Sequence, residues 1–132
     1  STAGKIARAE VLRRLGRLDE AAGHAAAAHA ADPDSRSAHA LVGLIAAQRG
    51  DREAAERIEA ELAAREDPYD RGGNTYNRAC IRARLGDLDR AVALLRQAHA
   101  QGQPIDDWIR TDPDLQGLRG HPGYEELIRL KD

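Results

Sequence analysis

Three glycines set the frame of this chain. Gly16, Gly50 and Gly86 stand 34 and 36 residues apart, each with a small residue seven positions earlier (Ala9, Gly43, Ala79) and an alanine five later (Ala21, Ala55, Ala91). A period of that length, kept together with residue size, marks repeated supersecondary units that bury their apolar faces by stacking. A glycine between two helical stretches ends the first in the left-handed conformation that other residues resist. The small residues then fall where the two helices of a hairpin cross, and a larger side chain there would push them apart. Asp51 and Asp87 follow their glycines directly and are expected to cap the next helix. Pro33, Pro68 and Pro104 close the units.

Composition supports helix in every unit. The chain holds 26 Ala against 24 Leu, Ile and Val together, no Phe or Met, one Trp and three Tyr. Alanine is the best helix former and β-branched residues are scarce, so the expected class is all-α. The pattern predicts helices near 2–15, 18–31, 36–49, 52–66, 72–85 and 88–101, with the loosest junction at Asp70–Asn74.

Charge and hydropathy exclude several roles. The formal net charge is −2 and the isoelectric point about 6.2, so no global basic field draws the chain to nucleic acid. The run Ala25–Ala31 is too short to cross a bilayer, and membrane insertion is not expected. No signal-peptide pattern opens the sequence, which points to a cytoplasmic protein, and the missing initiator Met reads as a processed or excised piece. Further repeats or an effector domain are therefore expected upstream.

After Gly102 the pattern changes. Pro104 and the acids Asp106 and Asp107 begin a helix, Asp112-Pro113 begins a short turn, and Pro122 begins a last helix with a stripe at Tyr124, Leu127, Ile128 and Leu130. A stack of hairpins leaves an apolar face on its last helix, and Trp108, Leu115, Leu118 and Tyr124 are expected to cover it. Trp108 is accordingly read as a core residue.

The repeat plan resembles the tetratricopeptide repeat (TPR) family, whose unit is a 34-residue helix–turn–helix. The likeness covers residues 2–103 at the small, Gly and Pro positions. It departs at the bulky ones, where this chain has Lys5, Leu12, His39, Ala46, Thr75 and Arg82. The tail is similar to the terminal segment of bacterial TPR proteins, on Tyr76, Asn77, Ala79 and Cys80, then Trp108, Asp112, Pro113, Leu115, Leu118, Arg119, Pro122 and Tyr124. The resemblance implies a right-handed α-solenoid in a single domain over 1–132, with repeats at about 2–35, 36–70 and 71–104 and a capping tail at 105–132.

Nothing in the sequence carries a recognisable active site, and no enzyme, cofactor or metal is expected. His24 and His29 are five apart and share no helix face, and His39, His99 and His121 sit on different elements. Cys80 is the only thiol, with Arg84 one turn away, and reads as a packed structural residue. Gly72-Gly73-Asn74 is too short and isolated to cradle a phosphate.

The expected function is a scaffold or adaptor that binds a protein or peptide. The resemblance places Ile6, Glu10, Arg13 and Arg14, then Ala40, Leu44, Ala47 and Gln48, then Tyr76, Cys80, Ala83 and Arg84 on the concave face of the stack. The first segment is locally basic, with Lys5, Arg8, Arg13, Arg14 and Arg17 against Glu10, which points to an acidic peptide held by arginine forks. Chaperone-binding relatives clamp a carboxylate with Lys and Asn; Ile6 and Glu10 stand there instead, so that activity is not expected. Two alternatives stay open: a segment that self-associates, and a regulatory C-terminal domain of a fused signalling enzyme.

Overall fold

The computed structural model describes residues 1–129, and these are all-helical and turn. In chain order the α-helices are α1 (Thr2–Arg14), α2 (Leu18–Ala31), α3 (Arg36–Gln48), α4 (Arg52–Ala63), α5 (Gly73–Arg84), α6 (Leu88–Ala100), α7 (Asp107–Thr111) and α8 (Pro122–Arg129). Two 3-10 turns, Pro68–Asp70 and Pro113–Leu118, complete the described elements. The first six helices fall where the repeat pattern puts them, within a residue or so except at the end of α4. Leu130, part of the expected final stripe, lies outside the described residues.

The chain divides into two compact units, Ser1–Leu62 and a second from Ala63 onward. In the first, α1 packs on α2, and α3 packs on both. Ala9, Ala21 and Ala25 are buried together with Leu41 and Ile45, and Ile6, Leu12, Ala22 and Val42 pack around them. Alanine at the crossing lets the helices close, while Leu41 and Ile45 supply the larger apolar burial, about 1.5–3 kcal/mol each. Ser1 and Ser35 cap α1 and α3, accepting the amides of Gly4 and Ala38.

The turns show why the glycines recur. Gly16, Gly50 and Gly86 have φ of 79°, 81° and 83°. In each turn the glycine amide donates to the carbonyl three residues back (Arg13, Ala47, Ala83), and the next amide donates to the one five residues back (Leu12, Ala46, Arg82). This double bond pattern satisfies the last carbonyls of the first helix and needs a left-handed residue between them. The same pattern ends α6, where Gly102 donates to His99 and Gln103 to Ala98.

The two aspartates behind the glycines behave differently. Asp51 caps α4 as expected, accepting from the Ala54 amide at 3.2 Å. Asp87 makes no side-chain cap; its carboxylate pairs with Arg82 at 2.9 Å. The buried guanidinium of Arg82 outcompetes a neutral amide for that carboxylate.

In the second unit α5 packs on α6, and the tail covers this hairpin. The Pro113–Leu118 turn lies on α5 and α6, and α8 lies on α6. Leu115, Leu118, Tyr124, Leu127 and Ile128 are buried, as the stripe predicts. Trp108 is not: it is 56% exposed, and Ile109 is buried in its place. Asp106 caps the five-residue α7 through the Trp108 amide, and adjacent helical residues point about 100° apart. With Ile109 turned inward, Trp108 must face out.

Candidate functional site

In the first unit three of the expected groove residues, Glu10, Arg13 and Gln48, form one short polar chain. Arg13 is only 8% exposed; its guanidinium meets Glu10 at 3.2 Å and reaches Gln48 of α3 at 3.4 Å. Ile6 packs against the core, and Ala40, Leu44 and Ala47 are buried. Arg14, at the end of α1, is exposed. Of the two arginines expected to fork a ligand, Arg13 therefore ties α1 to α3 and Arg14 faces solvent.

In the second unit Tyr76 and Arg84 lie against the tail. The Tyr76 hydroxyl donates to Asp112 at 2.6 Å, and the Arg84 Nε donates to Asp114 at 2.8 Å. Asp112 also accepts the Asp114 amide at 2.9 Å. Burial pushes the Tyr76 phenol well above its ordinary range, and the neighbouring Cys80, Asp112 and Asp114 add to the shift. Cys80, Asp112 and Asp114 are all buried, and their ligand atoms lie within 4.8 Å of one another. The Arg84 guanidinium already supplies positive charge at this cluster, and Tyr76 occupies a carboxylate oxygen, so the chemistry here is that of a latch holding the tail.

Three of the positions where the TPR likeness departs, His39, Thr75 and Arg82, are interior and polar. His39 of α3 meets Glu61 of α4 at 2.8 Å. Thr75, 36 residues on, lies 2.7 Å from Gln101 and 3.2 Å from Glu66. With Arg82–Asp87, these three buried polar side chains each meet a polar group beyond their own helix, as buried polar groups generally do.

Two further expectations concern ligands. The Gly72-Gly73-Asn74 segment begins α5, and the Asp70 carboxylate accepts the Asn74 amide there. An acid already occupies that helix N-terminus, where an anion would otherwise bind. The histidines, expected to be scattered, are not all so: His29 of α2 stacks on His39 at 4.4 Å and 12° between planes, and Glu61 completes a group whose ligand atoms lie within 4.8 Å of one another. Its members come from three helices, so no sequence spacing could reveal it. The one available signal is His39 itself, a polar residue at an interior position.

No known family description matches the chain, and no solved structure matches it. A stretch of 80 residues, 61% of this chain, is 31% identical to a protein of Arabidopsis thaliana whose name describes it as chloroplastic. That stretch spans 24% of the length of the Arabidopsis protein. Among the described residues no helix is long and apolar enough to cross a membrane.

Proposed function

We propose that this chain is a non-catalytic protein-binding module of the tetratricopeptide type, a scaffold that holds an acidic peptide or protein segment. The observation that supports this reading is the turn made three times with one hydrogen-bond pattern, with Ala9, Ala21, Ala79 and Ala91 fully buried around the first and third. Stacked hairpins of this kind present helix faces over an extended surface, and such faces take peptides. Arg8 and Arg14 are the exposed cations of α1 suited to an acidic partner, because Arg13 is engaged with Glu10 and Gln48 and Arg17 with Glu20. An array of acidic, neutral and basic peptides probed with the chain and with an Arg8→Glu, Arg14→Glu variant tests this. Selective capture of acidic peptides, lost in the variant, is expected; equal capture by both proteins contradicts it.

One observation favours the self-association alternative. Val11 of α1 and Leu15, the residue that caps its C-terminus four positions on, are 58% and 64% exposed. Sedimentation at several concentrations separates the readings: a mass that stays at one chain rules out self-association, and a mass that grows, and reverts in Val11→Ser with Leu15→Ser, supports it.

A further inference from the structure

We propose that His29, His39 and Glu61 form a binding site for a divalent transition metal of the zinc class, fastening α2, α3 and α4 within the first unit. The donor set is two imidazoles and one carboxylate, the combination that zinc and its first-row neighbours take in sites with three protein ligands and a fourth position left to water. Such a set disfavours magnesium and calcium, which prefer oxygen ligands throughout.

The geometry is close to what an ion needs. The three ligand atoms lie within 4.8 Å of one another. Tetrahedral bonds of roughly 2.0–2.2 Å require ligand atoms about 3.4 Å apart. The widest pair must therefore close by no more than about 1.5 Å, and the His39–Glu61 pair, now at 2.8 Å, must open slightly. An imidazole binds a metal in its own ring plane. Stacked rings only 12° from parallel cannot share an ion until one turns about its Cβ–Cγ bond. His39 is buried and held to Glu61, whereas His29 is half-buried near the end of α2, so His29 is the ring that turns. The Glu61 side chain is 44% exposed. Arg57, 3.9 Å from its other oxygen, sits on an exposed side chain that can swing aside.

The Cys80–Asp112–Asp114 cluster of the second unit shows by contrast what makes this one suitable. Cys80, Asp112 and Asp114 already have an arginine among them. At His29–His39–Glu61 the close partner of the acid is the His39 imidazole at 2.8 Å, with the exposed Arg57 only at 3.9 Å, and a neutral imidazole offers a lone pair to a metal. Histidines at the equivalent repeat position do not all form such a site: His99, 70 residues after His29, lies 2.9 Å from the Gln103 carbonyl.

The test is a Zn²⁺ titration of the tag-free, chelator-treated chain by calorimetry, with Co²⁺ as a spectroscopic probe. One Zn²⁺ per chain, the intense visible absorption of tetrahedral Co²⁺ and a raised melting temperature are expected. His29→Ala, at a half-buried position, and Glu61→Gln, at an exposed one, should each weaken binding by at least about tenfold, with the melting temperature of each metal-free variant checking that it folds. His121→Ala and His99→Ala should leave it unchanged. The proposal is overturned by an absence of stoichiometric binding, by binding that persists in His29→Ala and Glu61→Gln, or by binding lost in His121→Ala or His99→Ala.

Discussion

The Tyr76 hydroxyl donates to the Asp112 carboxylate at 2.6 Å across 36 residues of sequence, and both groups are buried. Tyr76 belongs to the first helix of the last hairpin, and Asp112 opens the turn that lies over it. Removing the hydroxyl leaves Asp112 with a buried oxygen short of a donor, which costs about 1–3 kcal/mol. Tyr76→Phe should lower the unfolding free energy by that amount, read as a lower urea midpoint with little change in slope. An unchanged midpoint would show that the latch contributes nothing.

The same phenol gives the fold an alkaline limit. Its ordinary value is 10.0 and burial raises it in the folded state. Unfolding therefore releases a proton once pH passes the unfolded value. The stabilisation from keeping Tyr76 neutral is complete below pH 10 and is lost as pH rises above it. Tyr124, raised in the same direction first by its burial, adds to the effect. Melting temperatures recorded between pH 8 and pH 11 should fall at the alkaline end, and less steeply in Tyr76→Phe.

Two glycines separate backbone strain from collision. At Gly86, φ is 83° and an added Cβ would meet nothing within 4 Å, so Gly86→Ala carries only the left-handed penalty, about 1–2 kcal/mol. At Gly72, φ is 86° and the Cβ would also strike the backbone carbonyl of Ala98. Gly72→Ala should be the more damaging by a clear margin in thermal denaturation. Equal losses would mean that α5 and α6 can yield at that point.

The buried alanines make a similar prediction. Ala79 is fully buried where α5 packs on α6, and Ala79→Leu forces three extra carbons into a closed crossing. A loss of about 1–3 kcal/mol in chemical denaturation is expected, against a small effect for the exposed Ala93→Leu on α6.

How much of this is legible in the sequence depends on how local the cause is. The turn at Gly50 is set by residues within five positions of it, so glycine spacing and residue size predict it. Ala9 and Ala79 are readable as crossing points for the same reason. Trp108 escapes such reading because a five-residue helix has one inward position, and neither composition nor motif tells whether Trp108 or Ile109 takes it. Asp87 has the sequence context of a cap, but its competition with Arg82 is settled by burial. The His29–His39–Glu61 group is invisible because its members are brought together only by packing of α2, α3 and α4. Arg13, Tyr76 and Arg84 are expected to face a ligand, but their polar ends find partners within their own units, which the repeat pattern alone cannot show.

The central claim is that exposed cations of α1 hold an acidic partner. Calorimetric titration of one acidic peptide, selected on the array, into the chain and into Arg8→Glu, Arg14→Glu at low and at physiological salt tests it most directly. The expected result is saturable binding that weakens as salt screens the charges and is at least about tenfold weaker in the variant. Binding of equal strength in both proteins, unaffected by salt, would contradict it.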